Sequence, residues 1–151
     1  MRTVHFVVPE SIDDPGRPSG GNIYDREVAR DLREFGWTVR EHLVGRSLRD
    51  VLRALPRGAT VAVDGLLGCA DAAAVHEAAQ RVRVVLLVHM PAGLEGGERA
   101  DVAVETERAA LCAAHAVIAT SNWTRGLLIA RHGATAERVR VAEPGVESAP
   151  L

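Results

Sequence analysis

Short β-branched runs recur along this chain, separated by longer stretches in which apolar side chains return every three or four positions. A run of the first kind suits a strand, and the longer spacing suits a helix with one buried face. Thr3 to Val8 predicts the first strand, stopped by Pro9. A polar loop from Glu10 to Gly21 leads to a helix starting near Asn22, with Ile23, Val28, Leu32 and Phe35 on one side and Gly36 as its stop. Thr38 to Val44 predicts a second strand. Ser47 with Asp50 three positions on is a capping-box variant, and Leu48, Val51, Leu52 and Leu55 follow at helical spacing.

Thr60 to Val63 predicts a third strand, followed by Asp64-Gly65 and an Ala-rich helix from Asp71 to Gln80. Val82 to Val88 is the most hydrophobic run and suits a central strand covered on both faces. After a loop from His89 to Gly97 come a helix from Glu98 to Ala114, a strand from Ala116 to Ala119, a Ser121-capped helix ending at Gly133, and a strand from Val139 to Val141. Strict alternation of this kind predicts an α/β, Rossmann-like three-layer sandwich, a mostly parallel sheet with helices on both faces.

Composition narrows the picture. A chain of 151 residues with 47% hydrophobic and 25% charged residues and a net charge of −2 is ordinary for one soluble domain and gives no nucleic-acid footprint. All 18 basic residues are Arg, but they are scattered. Cys69 and Cys112 have no partner at metal-ligand spacing, so two buried free thiols in a reducing cytoplasm are expected. The absence of a leader pattern or a long apolar run predicts a cytoplasmic protein that does not span a membrane.

In an open parallel sheet, ligands bind outside the carboxyl ends of the strands. The first such end carries Ser19-Gly20-Gly21-Asn22, opening a helix with Tyr24 and Asp25. Adjacent glycines allow close backbone approach, and a helix start favours an anion such as a diphosphate. The loop is too long for a dinucleotide turn, and no GxGxxG occurs, which disfavours an NAD-dependent dehydrogenase or epimerase. His89 ends the most apolar strand, where it can contact substrate or act as acid or base, or simply cap the strand locally. Asp64 and Ser121 complete the strand-end polar groups, Ser121 most simply as a helix N-cap. His132, at a helix end, is placed to carry a positive charge, while His76 and His115 fall on helices and His5 and His42 on strands. No hydrolase elbow, P-loop lysine or zinc-protease helix is present.

Three segments together resemble the N-terminal domain of family 4 retaining glycosyltransferases. They are Gly20-Gly21-Asn22-Ile23-Tyr24-Asp25-Arg26, Val88-His89-Met90-Pro91, and the run VIATSNWTRGLLIARHGATAERVRVAEPGV from Val117 to Val146. The resemblance implies one half of a two-domain GT-B enzyme, with residues 1–146 forming the acceptor-side domain and 147–151 beginning an interdomain linker. It implies that Gly20 and Gly21 approach donor phosphates and acceptor, that His89 lies near the transferring sugar, and that Asn22, Tyr24, Asp25, Asp64 and Ser121 line the same crevice. A nucleotide sugar is then a substrate, no cofactor or metal is expected, and the acceptor is a sugar, a lipid or another small molecule. The expected partner is a donor-binding C-terminal domain, without which the chain alone should lack turnover. Glu143-Pro144-Gly145 stands where the family usually has Asn before Gly. An apolar surface from Pro144 to Leu151 is expected to promote self-association. The alternative is a stand-alone Rossmann-like binding or regulatory module without catalysis.

Overall fold

The computed structural model describes residues 2–94, 96 and 99–145. Six strands alternate with helices: β1 (Arg2–Pro9), α1 (Gly20–Glu34), β2 (Trp37–Val44), α2 (Leu48–Ala54), β3 (Thr60–Asp64), α3 (Gly65–Gly68), α4 (Ala72–Ala79), β4 (Arg83–Val88), α5 (Ala100–Ala113), β5 (Ala116–Ala119), α6 (Asn122–Ala130) and β6 (Val139–Val141). The sheet order is β2-β1-β3-β4-β5-β6 and every pairing is parallel, which gives the α/β, Rossmann-like fold expected. The chain steps from β1 outward to β2, then crosses back to β3 on the other side of β1. That reversal opens a crevice above the carboxyl ends of β1 and β3.

The two faces are covered unequally. Val4, Phe6 and Val8 of β1 point to one face, where Ala29, Val28 and Leu32 of α1 meet them. Val7 points to the other, where Leu52, Val75, Ala110 and Leu128 of α2, α4, α5 and α6 build the larger core with Val61, Val84 and Leu86. Alternation along β1 is the ordinary consequence of side chains leaving a strand on opposite faces.

Several local expectations need correction. Helix α1 begins at Gly20, with Ser19 as N-cap, so the glycine pair forms its first turn and not the end of a loop. Its inward residues are Tyr24, Asp25 and Ala29, whereas Ile23 and Phe35 are exposed, because inward polar groups displace the simple apolar stripe. Helix α3 is too short to leave a periodic pattern. Cys112 is exposed and Cys69 only half-buried. His115 lies past the end of α5, where its Nδ1 accepts from the Val84 N–H at 3.2 Å.

The Ser47 and Ser121 caps do form, accepting from the N–H groups of Asp50 and Thr124. No helix among the described residues is long and apolar enough to cross a membrane. Residues 146–151 of the surface expected to self-associate, together with Gly97 and the expected helix start at Glu98, lie outside the described residues.

Candidate functional site

Three strand ends converge on His89. From β1 the chain runs through a loop held where Arg26 of α1 bonds Asp13 through Nε at 2.7 Å and also pairs with Glu41 of β2. The chain then enters α1 at Gly20. Ser19 makes no side-chain cap, and the first helical bond runs from the Ile23 N–H to the Ser19 carbonyl, so the preceding N–H groups are free of helical partners. Gly21 is a steric necessity: a Cβ there would stand 2.9 Å from Cδ2 of the His89 ring. Gly65 is equally constrained, since its Cβ would meet the Leu87 carbonyl oxygen at 2.5 Å. Close packing at Gly65 brings Asp64, which caps α3 through the Leu66 N–H at 2.6 Å, against the end of β4.

His89 is buried from behind by two carboxylates. Its Nε2 lies 3.1 Å from Asp25 Oδ1 and 3.6 Å from Asp64 Oδ2, with Asp25 fully buried and Asp64 nearly so. The nearer contact has the distance of a hydrogen bond without its alignment, and both Asp25 oxygens, Asp64 Oδ2 and both His89 ring nitrogens lack an aligned partner. Charge therefore dominates the cluster. Burial acts to lower the His89 pKa, but the two carboxylates outweigh it and raise it to about 9. Burial raises Asp25 to about 6, with His89 opposing and Asp64 adding to the rise. Burial also acts to raise Asp64, yet His89 and Asp25 hold it below the usual carboxylate range.

The three side chains present ligand atoms within 4.8 Å of one another and could hold a divalent cation in place of the imidazolium proton. Tyr24 meets the His89 ring edge-on at a centroid distance of 5.2 Å and donates its hydroxyl to the Ala142 carbonyl at 2.9 Å. Thr120 donates to the His89 carbonyl at 3.1 Å, fixing the backbone as well.

In front of His89 opens a crevice of about 850 Å³, lined also by Gly20, Gly21, Leu66, Met90, Val102 and Thr106, among others. Of the residues proposed from sequence, only Gly20, Gly21 and His89 line it. Asp25, Asp64 and Tyr24 stand behind His89, Asn22 is half-buried in the first turn of α1, and Ser121 caps α6. The alternative of a locally capped strand end does not hold for His89, whose side-chain neighbours come from α1 and β3.

Sequence reasoning missed a second polar cluster in the far wall. Glu107 of α5, buried and lining the crevice, accepts from the Ala92 N–H through both oxygens at 3.2 and 3.1 Å and touches the His132 ring. Burial pushes Glu107 up, and burial with Arg131 and Arg108 pushes His132 down. Burial thus moves each of them toward its uncharged form. His132, expected at a helix end where a positive charge suits the dipole, is instead buried against Glu107 with its pKa pushed down. His5 and His42, on neighbouring strands, likewise meet in space, Nδ1 to Nε2, at 2.8 Å.

A protein-family model described as Glycosyltransferase Family 4 matches residues 3–149. No curated protein matches the chain.

Proposed function

Because the chain belongs to glycosyltransferase family 4, we propose that it is the acceptor-side half of an enzyme that transfers a sugar from a nucleotide sugar to an acceptor with retention, inactive without its donor-binding half. The observation that carries this reading is the contact between Gly21 and His89. It sets a cationic ring beside the free N–H groups at the start of α1, at the mouth of a crevice large enough for a small molecule.

Transfer breaks the bond from the anomeric carbon to the diphosphate oxygen and forms one to the acceptor oxygen; the departing diphosphate takes the negative charge and receives the acceptor hydroxyl's proton. Fixed dipoles of a helix start and a pre-charged imidazolium stabilise such charge without rearranging at the moment of reaction. In this reading His89 positions and hydrogen-bonds the groups at the transfer point. With a pKa raised to about 9 it is already protonated at neutral pH, and so is poorly suited to abstract a proton. No divalent cation is needed.

The test is sugar release and transfer from a panel of nucleotide sugars by the chain joined to its donor-binding domain, with and without EDTA. His89→Ala should cut kcat by about 10²-fold or more. Transfer at an unchanged rate in that variant would refute the role given to His89, and loss of transfer in EDTA would refute the metal-free route. A stand-alone binding module would instead show ligand binding with no transfer under any donor.

A further inference from the structure

Resting on the transferase reading above, we propose that the acceptor is a small molecule with an apolar body and a hydroxyl presented at the His89 end, and not a free sugar. Three large apolar side chains, Leu66 at 70% exposure, Met90 at 59% and Val102 at 67%, line the concave surface in front of His89. Single exposed apolar residues are ordinary, but three converging on one cavity form a binding surface. The crevice volume of about 850 Å³ lies in the range that encloses a drug-sized ligand.

Part of the polar lining is committed elsewhere, while Arg99 and Ser19 stay available at its rim. Thr106 donates its hydroxyl back to the Val102 carbonyl at 2.8 Å. The Glu107 carboxyl is occupied by the Ala92 N–H and His132. Burial pushes the Cys69 thiol up, so it stays uncharged. A sugar ring lying against Leu66 and Val102 would turn hydroxyls toward apolar side chains, at a desolvation cost for each one left unpaired. An apolar ring or chain gains from the same contacts, and its hydroxyl meets His89 and the free N–H groups of α1. A protein occupant would instead need a broad face, whereas this surface is a recess between α3 and α5 that ends at His89.

The probe is 2-naphthol, an aromatic body with one hydroxyl, titrated by its own fluorescence into the 151-residue chain, with methyl α-glucoside as competitor. Leu66→Gln and Val102→Gln combined is the test variant, and both side chains are exposed, so the fold does not depend on them. Saturable one-to-one binding, weakened about tenfold or more in the double variant and unaffected by methyl α-glucoside, is expected. Displacement by methyl α-glucoside, or equal affinity in the double variant, overturns the proposal. So does a self-associated chain that the two substitutions disperse while naphthol binding stays level, since a second copy would then cover the surface.

Transfer assays with the donor-binding domain added separate the two levels. Transfer to sugar acceptors but not to 2-naphthol overturns the acceptor class and leaves the transferase reading standing. No transfer from any nucleotide sugar overturns both.

Discussion

Asp25→Asn is the substitution that tests the charge logic of the site most directly. The His89 pKa rises from 6.5 to about 9 against a burial effect that lowers it, so the carboxylates favour the imidazolium by at least about 3 kcal/mol, at roughly 1.4 kcal/mol per pH unit. Asp25 is the nearer of the two, at 3.1 Å against 3.6 Å for Asp64. Removing its charge should lower the His89 pKa by more than about one pH unit. Stability responds differently. A raised histidine pKa contributes stability that is complete below about 6.5 and lost as pH rises through about 9. Asp25 is an acid whose pKa is also raised, so above its ordinary value its ionisation opposes folding, fully so above about 6. The two effects oppose each other at pH 7. Asp25→Asn leaves Asp64 to pair with His89, so it should move the His89 titration while costing less in urea stability at pH 7 than the ~3–5 kcal/mol of a fully broken buried pair. The assay is a pH titration of the ring carbon resonances by NMR, with the signal assigned through His89→Gln. A wild-type His89 titrating near 6.5, or one unmoved in Asp25→Asn, would refute the reasoning.

Gly21→Ala should displace the His89 ring, because the new Cβ stands 2.9 Å from Cδ2; a perturbed His89 resonance with an intact far-ultraviolet spectrum is the expected result. Glu107→Ala removes the partner of the part-buried Ala92 N–H and leaves a cavity in α5, and should cost about 2–4 kcal/mol in urea unfolding. Ser121→Ala removes the bond from the Thr124 N–H and should cost about 1 kcal/mol in the same assay, leaving the His89 titration untouched.

Strand positions were legible because β-branched runs in a doubly covered sheet are long enough to stand out, and Val82 to Val88 is the clearest case. The start of α1 was not. Gly20 and Gly21 read as a turn by propensity, yet the extended backbone of Ser19 lets the helix begin one residue later. The inward face of α1 was misjudged because its buried members, besides Ala29, are Asp25 and Tyr24, which no apolar periodicity reveals. His89 and Asp64 could be nominated from their places at strand ends, but their meeting with Asp25 depends on the crossover between β1 and β3. Glu107 and His132 gave no sequence signal at all, since each reads as surface polar until the fold buries both.

Burial also decides how the polar residues of the site can act. Asp25 and Asp64 are almost wholly removed from solvent, so neither can touch a ligand without rearrangement, and their charge reaches the crevice only through the His89 ring. Tyr24, pinned to the Ala142 carbonyl, fixes the angle of that ring and ties it to the segment leaving β6. What faces the crevice is then graded, from an imidazolium and free helix N–H groups at α1 to exposed apolar side chains on α3 and α5, with Arg99 at the start of α5. On the proposed reading this gradient orients both reactants, drawing the anionic donor group to one end and the apolar acceptor body to the other. It also makes a distinct demand on mutants: changes behind His89 should alter the pH profile of transfer, whereas changes at Leu66 or Val102 should alter acceptor KM and leave that profile in place.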